Sequence, residues 1–304
     1  MFYIRFWGVR GSIPCPGPGT VVFGGNTTCA EIRAGERLVI VDLGTGVKPL
    51  ADEIMVSDLK KGPLDMDIFI THTHWDHIMG FPMFSPIFIP GTKMRIWGSG
   101  SYDDDHLASV IENQLSYRYW PVRQSELAAK IEYHELKETT LDLGKGLKLT
   151  TKYLNHPILC LGYRFEYEGK SIVTVFDHEP YKNLFPTDPK DPRYNEEAAL
   201  EGEIVAKEEN ERIFKFYKDA DILVHDTQYT DEEYEKHPGW GHSSYEYAME
   251  AAFKANVKKL VFFHHDPNNY DDKLEELEKH YKNIAKAKTK TEIIMSREGL
   301  VVEA

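Results

Sequence analysis

A chain of 304 residues with 41% hydrophobic content can bury a sizeable core, which excludes a disordered or fibrous protein. Its 36 basic and 49 acidic residues give a net charge of −13, a field that disfavours a long polyanion such as RNA unless a basic patch opposes it, so small substrates are expected. The opening MFYIRFWGVRGSIP has no basic stretch leading into a long apolar one, and no apolar run long enough to span a bilayer follows. The expected protein is therefore cytoplasmic and makes no membrane contact, and a homodimer is compatible with it.

In chain order, strands are expected at residues 2–7, 37–41, 67–71, 94–97, 147–154, 171–176, 221–224 and 259–263. Several are nearly unbroken Ile, Val, Leu and Phe, the pattern of strands covered on both faces. Apolar residues recurring at three and four predict helices around Leu107 to Leu115, Ser243 to Ala255, and Leu274 to Ile284. Alternating strands and helices over the whole length imply one α/β sandwich domain. Two stretches read as insertions placed to cap a site: residues 101–140, and the acidic segment 181–218 punctuated by Pro186, Pro189 and Pro192. Cys15, Cys29 and Cys160 form no CxxC pair and are expected to be reduced, ordinary residues.

The most informative segment is Thr71-His72-Thr73-His74-Trp75-Asp76-His77, which follows an apolar strand directly. His72 and His74, two apart in an extended loop, can turn their rings to one side and bind one ion. Asp76 and His77, where the chain turns into a helix, can reach a second. Imidazole with carboxylate suits Zn, Mn or Fe, and a pair of such ions roughly 3.5–4 Å apart can clamp the attacking and leaving oxygens of a displacement. Further ligand types stand at other strand ends: His156, Asp177 and His264. Strand ends at one edge of a sheet converge, and α/β folds place their chemistry there.

This order of HxHxDH, His, Asp and His resembles the metallo-β-lactamase superfamily over most of the chain. The resemblance implies an αββα sandwich, with His72, His74 and His156 on a first divalent metal ion, Asp76, His77 and His264 on a second, and Asp177 bridging. A hydroxide between the ions would be the nucleophile, held also by Asp76. His265 stands beside His264, and the family pattern favours the first histidine after the strand. His178, next to Asp177, would support a ligand or touch substrate. Asp42 occupies the place of a structural aspartate.

His225-Asp226-Thr227-Gln228 followed by Gly241-His242-Ser243-Ser244 resembles the paired motifs of the superfamily's phosphodiesterase branch, in which a carboxylate orients a histidine facing the phosphate. Those roles would fall to Asp226 and His242. Independently, Ser243 with Glu246 reads as a capping box, putting His242 and Ser243 at a helix N-terminus able to hold a phosphate. Asp226 replaces the Glu of the tRNase Z branch and no long basic arm is present, while Trp7-Gly8-Val9-Arg10-Gly11-Ser12-Ile13-Pro14 with Gly24-Gly25-Asn26 resembles the cyclic-phosphate phosphodiesterases. Asn26 would lie at the site mouth, or serve only a turn. Tyr117-Arg118-Tyr119-Trp120 offers a stacking surface for a base with Arg118 for a phosphate, or simply a packed helix end. The resulting expectation is hydrolysis of a small or cyclic phosphodiester. Its rivals are an RNA 3′-end endonuclease and a noncatalytic metal-containing nucleotide sensor.

Overall fold

The computed structural model describes residues 1–100 and 106–304, so the first five residues of the expected 101–140 insertion lie outside the described part. Among the described residues, fourteen strands form two sheets of seven. The N-terminal half supplies β1 (Phe2–Gly8), β2 (Cys29–Ala34), β3 (Arg37–Val41), β4 (Asp65–Ile70), β5 (Lys93–Ser99) and β6 (Lys130–Leu136). The second sheet contains β7 (Thr140–Asp142), β8 (Lys148–Leu154), β9 (Cys160–Tyr167), β10 (Lys170–Val175), β11 (Ile222–Asp226), β12 (Lys259–Phe263) and β13 (Glu292–Met295), and β14 (Val301–Glu303) returns to pair with β1. Helices are α1 (Val47–Val56), α2 (Trp75–Ile78), α3 (Leu107–Asn113), α4 (Glu196–Tyr217), α5 (Asp231–Tyr234), α6 (Tyr245–Lys254) and α7 (Asp271–Lys288).

Both sheets are mixed. Strands β3 to β6 run parallel, as do β10 to β13, and hairpins complete each sheet. One core fills the space between the sheets, with Ile4, Phe6, Val39 and Phe69 meeting Phe165, Ile172, Val224 and Phe263. A second lies between the first sheet and α1, and a third between the second sheet and α4, α6 and α7. The layers are therefore helix, sheet, sheet, helix, the expected αββα sandwich. Buried on both faces, β11 (ILVHD) and β12 (KLVFF) cannot alternate polar and apolar residues.

The segment 181–218, read as an insertion, ends in the 22-residue helix α4, capped by Asn195 and burying Ala206, Ile213, Phe216 and Tyr217 against the second sheet. In the other segment, Leu107 and Ile111 of α3 pack into the core beside the first sheet. Among the described residues no helix is long and apolar enough to cross a membrane.

Candidate metal centre

The C-terminal ends of β3, β4, β8, β10, β11 and β12 bring Asp42, the His72–His77 loop, His156, Asp177, Asp226 and His264 to one edge of the sandwich. Parallel pairing of β3 with β4 and of β10 with β11 and β12 puts these ends on the same side.

Three imidazole nitrogens meet first. His72 Nε2 and His156 Nε2 each stand 3.0 Å from His74 Nδ1. A second group joins Asp76, His77 and His264, with His77 Nε2 and His264 Nε2 both 3.3 Å from Asp76 Oδ2. Asp177 lies between the groups. Its Oδ1 is 3.2 Å from His77 Nε2 and 3.4 Å from His264 Nε2, and its Oδ2 is 3.7 Å from His72 Nε2 and 3.9 Å from His156 Nε2. The structure thus brings all seven expected ligands together.

The far ring nitrogens decide which atom each histidine offers. His77 Nδ1 lies 2.7 Å from Asp42 Oδ2, His156 Nδ1 3.0 Å from the Gly241 carbonyl, and His264 Nδ1 3.0 Å from Gln228 Oε1. Each partner accepts a proton on Nδ1, so each Nε2 presents a lone pair inward. Asp42 also accepts Thr71 N at 2.7 Å and the Thr71 hydroxyl at 2.8 Å, and that hydroxyl stands 3.1 Å from His72 Nδ1. One carboxylate therefore orients a histidine of each group.

The donor set fits divalent cations. His77 Nε2 and Asp177 Oδ1 are buried without a hydrogen-bond partner, the state of atoms built to bind something else. Burial, the largest influence, holds His72 far below the ordinary imidazole range and pushes His156 down to about 4, keeping both in the neutral, ligating form. Burial also disfavours charge on His77, but the carboxylates of Asp177, Asp76 and Asp42 outweigh it and draw a proton there. The same three carboxylates would favour a divalent cation beside the ring.

Close backbone approach is built in. A Cβ at Gly11 would stand 2.3 Å from the His264 ring, and one at Gly241 2.2 Å from His156 Nδ1. Ser12 N donates to Asp76 Oδ2 at 2.7 Å from a residue at φ 62°, and His264 itself sits at φ 62°, strain of the kind that collects at working sites. The left-handed turn sends His264 inward, while His265 Nε2 bonds to the Ser296 carbonyl at 2.9 Å.

Beside these groups, His242 Nδ1 is 2.9 Å from Asp226 Oδ2 and 3.7 Å from Asp177 Oδ2, and its ring stacks on His264 at 4.9 Å. Burial opposes its charge, but the Asp226 carboxylate prevails and pushes the pKa up to about 9. A model of the metallo-β-lactamase superfamily matches residues 22–164, which include the HxHxDH loop and His156. Over that stretch the chain is similar to the metallo-β-lactamase superfamily.

Its similarity to individual proteins spans nearly the whole length. The chain is 26% identical to ribonuclease Z of Thermoplasma acidophilum over 94% of both proteins. Among solved structures it resembles the metallo-β-lactamase fold protein YhfI of Bacillus subtilis (TM-score 0.65, 16% identity, 100% and 99% of the two chains). It likewise resembles a diphosphatase of the PhnP family (TM-score 0.62, 17% identity, 100% and 98% of the two chains). A relative named ribonuclease Z runs against the expectation that long nucleic acid is disfavoured. Net charge averages the whole surface, whereas bound cations set the field at a metal site.

Among the expected substrate contacts, Asn26, His178 and Ser243 have polar groups bonded to other residues of the chain. Asn26 binds Glu298 through both its backbone and its side-chain amide, at 2.7 and 3.1 Å, which ties a loop together. Both ring nitrogens of His178 face inward partners, Asn155 N at 3.1 Å and the Tyr247 hydroxyl at 3.4 Å. Ser243 donates its hydroxyl to the His178 carbonyl and its N–H to Asp226, so the cap of α6 is Ser244, which accepts Tyr247 N at 3.1 Å. Glu246 closes no capping box with Ser243, because its carboxylate accepts from Asp231 N and the Tyr281 hydroxyl. Arg118 is exposed, and among the described residues no hydrogen bond or ion pair joins it to the histidines. The nearby Tyr117 ring is covered by the Arg123 guanidinium at 4.1 Å.

Sequence reasoning assigned no role to Gln228 or Glu179. Gln228 lies two residues past Asp226 and orients His264. Glu179, two past Asp177, is buried and accepts Gly239 N and Gly241 N at 2.9 and 2.8 Å, fixing the loop whose carbonyl orients His156. The only signal for either was its nearness to a site aspartate.

Proposed function

We propose that the chain is a binuclear metal-dependent phosphodiesterase whose substrate is a small phosphodiester, a cyclic nucleotide or cyclic phosphate. The supporting observation is the His242–Asp226 pair placed beside both ligand groups, since lactam or thioester hydrolysis has less use for a second, carboxylate-held histidine there. Two divalent ions, Zn, Mn or Fe, held by His72, His74 and His156, by Asp76, His77 and His264, and by Asp177 between them, would neutralise phosphoryl oxygens and acidify water for attack at neutral pH.

The chain's own residues supply the rest. Asp226 accepts the Nδ1 proton of His242 and leaves Nε2 as the atom that meets substrate. A proton on Nε2 passes to the departing oxygen, a contribution of general acid type. Asp226 is itself fixed by Gln228 N at 3.1 Å and Ser243 N at 3.3 Å, so the pair cannot turn away.

A second reading, an RNA 3′-end-processing endonuclease of the tRNase Z type, is favoured by the ribonuclease Z relatives. Purified protein of measured metal content would be offered 2′,3′- and 3′,5′-cyclic nucleotides and, separately, a precursor transfer RNA. Turnover of a cyclic nucleotide is expected. Cleavage of the precursor with no turnover of any small diester would replace the first reading by the second, and tight nucleotide binding without hydrolysis would make the protein a sensor.

A further inference from the structure

Two tryptophans next to proposed metal-centre residues are turned to solvent. Trp75, between His74 and Asp76, is 76% exposed, and Trp240, in Gly239-Trp240-Gly241-His242, is 59% exposed. They flank His156. One nitrogen of that ring faces the carbonyl of Gly241, which follows Trp240, and the other faces His74, which precedes Trp75.

Trp240 is not on a loose loop. The buried Glu179 carboxylate accepts the N–H on each side of it, from Gly239 and Gly241, together with the Tyr234 hydroxyl at 2.6 Å. Gly239 and Gly241 hold φ of 83° and 85°, a turn that side-chain-bearing residues resist. Inward of Trp240 the rings continue: His237 at 4.7 Å, Tyr229 parallel to His237 at 4.6 Å, and His242 edge-on to Tyr229 at 6.1 Å. An aromatic wall therefore runs from the surface to the histidine assigned to the leaving group.

A fixed indole loses little freedom when something stacks on it, and nucleobases stack on such surfaces with little regard to their identity. A base attached to a phosphate at His242 would have the ring series from His242 to Trp240 as its path outward. We infer that Trp240 and Trp75 form a base-stacking platform, so that the site takes phosphodiesters carrying a nucleobase in preference to diesters of bare sugars or glycerol. This deepens the phosphodiesterase reading and rests on it for the placement of the phosphate.

The test compares wild type, Trp240→Ala, Trp240→Phe and Trp75→Ala on a nucleoside 2′,3′-cyclic phosphate and on glycerol 1,2-cyclic phosphate. Selectivity (the ratio of kcat/KM values) should favour the nucleotide in wild type, fall about tenfold in Trp240→Ala, and largely return in Trp240→Phe. Unchanged selectivity in both alanine variants overturns the inference. Tryptophan fluorescence of metal-loaded protein, titrated with a nucleoside monophosphate, ribose 5-phosphate and a short oligoribonucleotide, gives a reading independent of turnover. Saturable quenching by the mononucleotide that is lost in Trp240→Ala supports a free nucleotide as the base's source, and quenching by the oligoribonucleotide alone supports an RNA end. Equal responses to ribose 5-phosphate and to the nucleotide overturn the platform. Should nucleotides quench while no diester is hydrolysed, the catalytic reading falls and the platform stands; hydrolysis of every diester regardless of Trp240 gives the reverse.

Discussion

Replacing Asp42 by Asn tests how far one carboxylate outside the ligand set controls the centre. Asp42 is fully buried, and its Oδ2 accepts both His77 Nδ1 at 2.7 Å and the Thr71 hydroxyl at 2.8 Å while Oδ1 accepts Thr71 N. The amide keeps the shape and can keep its oxygen toward Thr71 N. It then sets an NH2 against His77 Nδ1, which must accept instead of donate. The ring proton moves to Nε2 and points at Asp76 and Asp177, where a lone pair is needed. Losing such an orienting partner costs about 10–100-fold in metal affinity, or roughly 1.4–2.7 kcal/mol. Because Thr71 turns with Asp42 and touches His72, a smaller loss is expected at the first group. The assay is competitive metal titration with a chromophoric chelator, with elemental analysis of the stoichiometry. One ion should remain tightly bound and the second should weaken. Two unchanged affinities in a folded Asp42→Asn protein would refute the tautomer argument.

Three further outcomes are expected. His242→Ala should retain both metals by elemental analysis while kcat on the best diester falls by about 10²–10⁴, and an unchanged kcat would retire its acid role. Gly241→Ala, with φ 85° and a Cβ 2.2 Å from His156 Nδ1, should lower thermal stability and weaken metal binding together, and wild-type values for both would contradict the close packing. Asp67 is buried between Arg95 and Arg37; burial raises its pKa, but the guanidinium groups outweigh it and hold the carboxyl below its usual range. Its contribution is therefore full above the unfolded carboxylate pKa of about 3.9 and is lost as pH falls through the lower folded value. Urea titrations at pH 7 and in that acid window should show Asp67→Asn costing more at pH 7, and an equal cost at both would remove the ion-pair explanation.

The separation between what was legible and what was not follows the range of the interactions. Period and composition revealed β3 and β12 at their observed bounds and the turn from β4 into α2, since a doubly covered strand must be apolar throughout. They missed the 22-residue α4, whose sparse apolar residues meet a sheet face that only folding creates, and the strands β2, β6, β7, β9, β13 and β14. The ligand types were legible because metal binding restricts chemistry to few side chains, and His72, His74, Asp76 and His77 lie within one loop.

By itself, then, the sequence determined the layered α/β class and the candidate donor set, both of which depend on residue type and local spacing. Only the tertiary structure decided which atom of each ring faces inward, because Gln228, the Gly241 carbonyl and Asp42 reach His264, His156 and His77 across 36, 85 and 35 positions. It also chose His264 over His265 and Ser244 over Ser243. Between adjacent residues of one type the alphabet is silent, and a left-handed turn or a competing buried acceptor makes the choice.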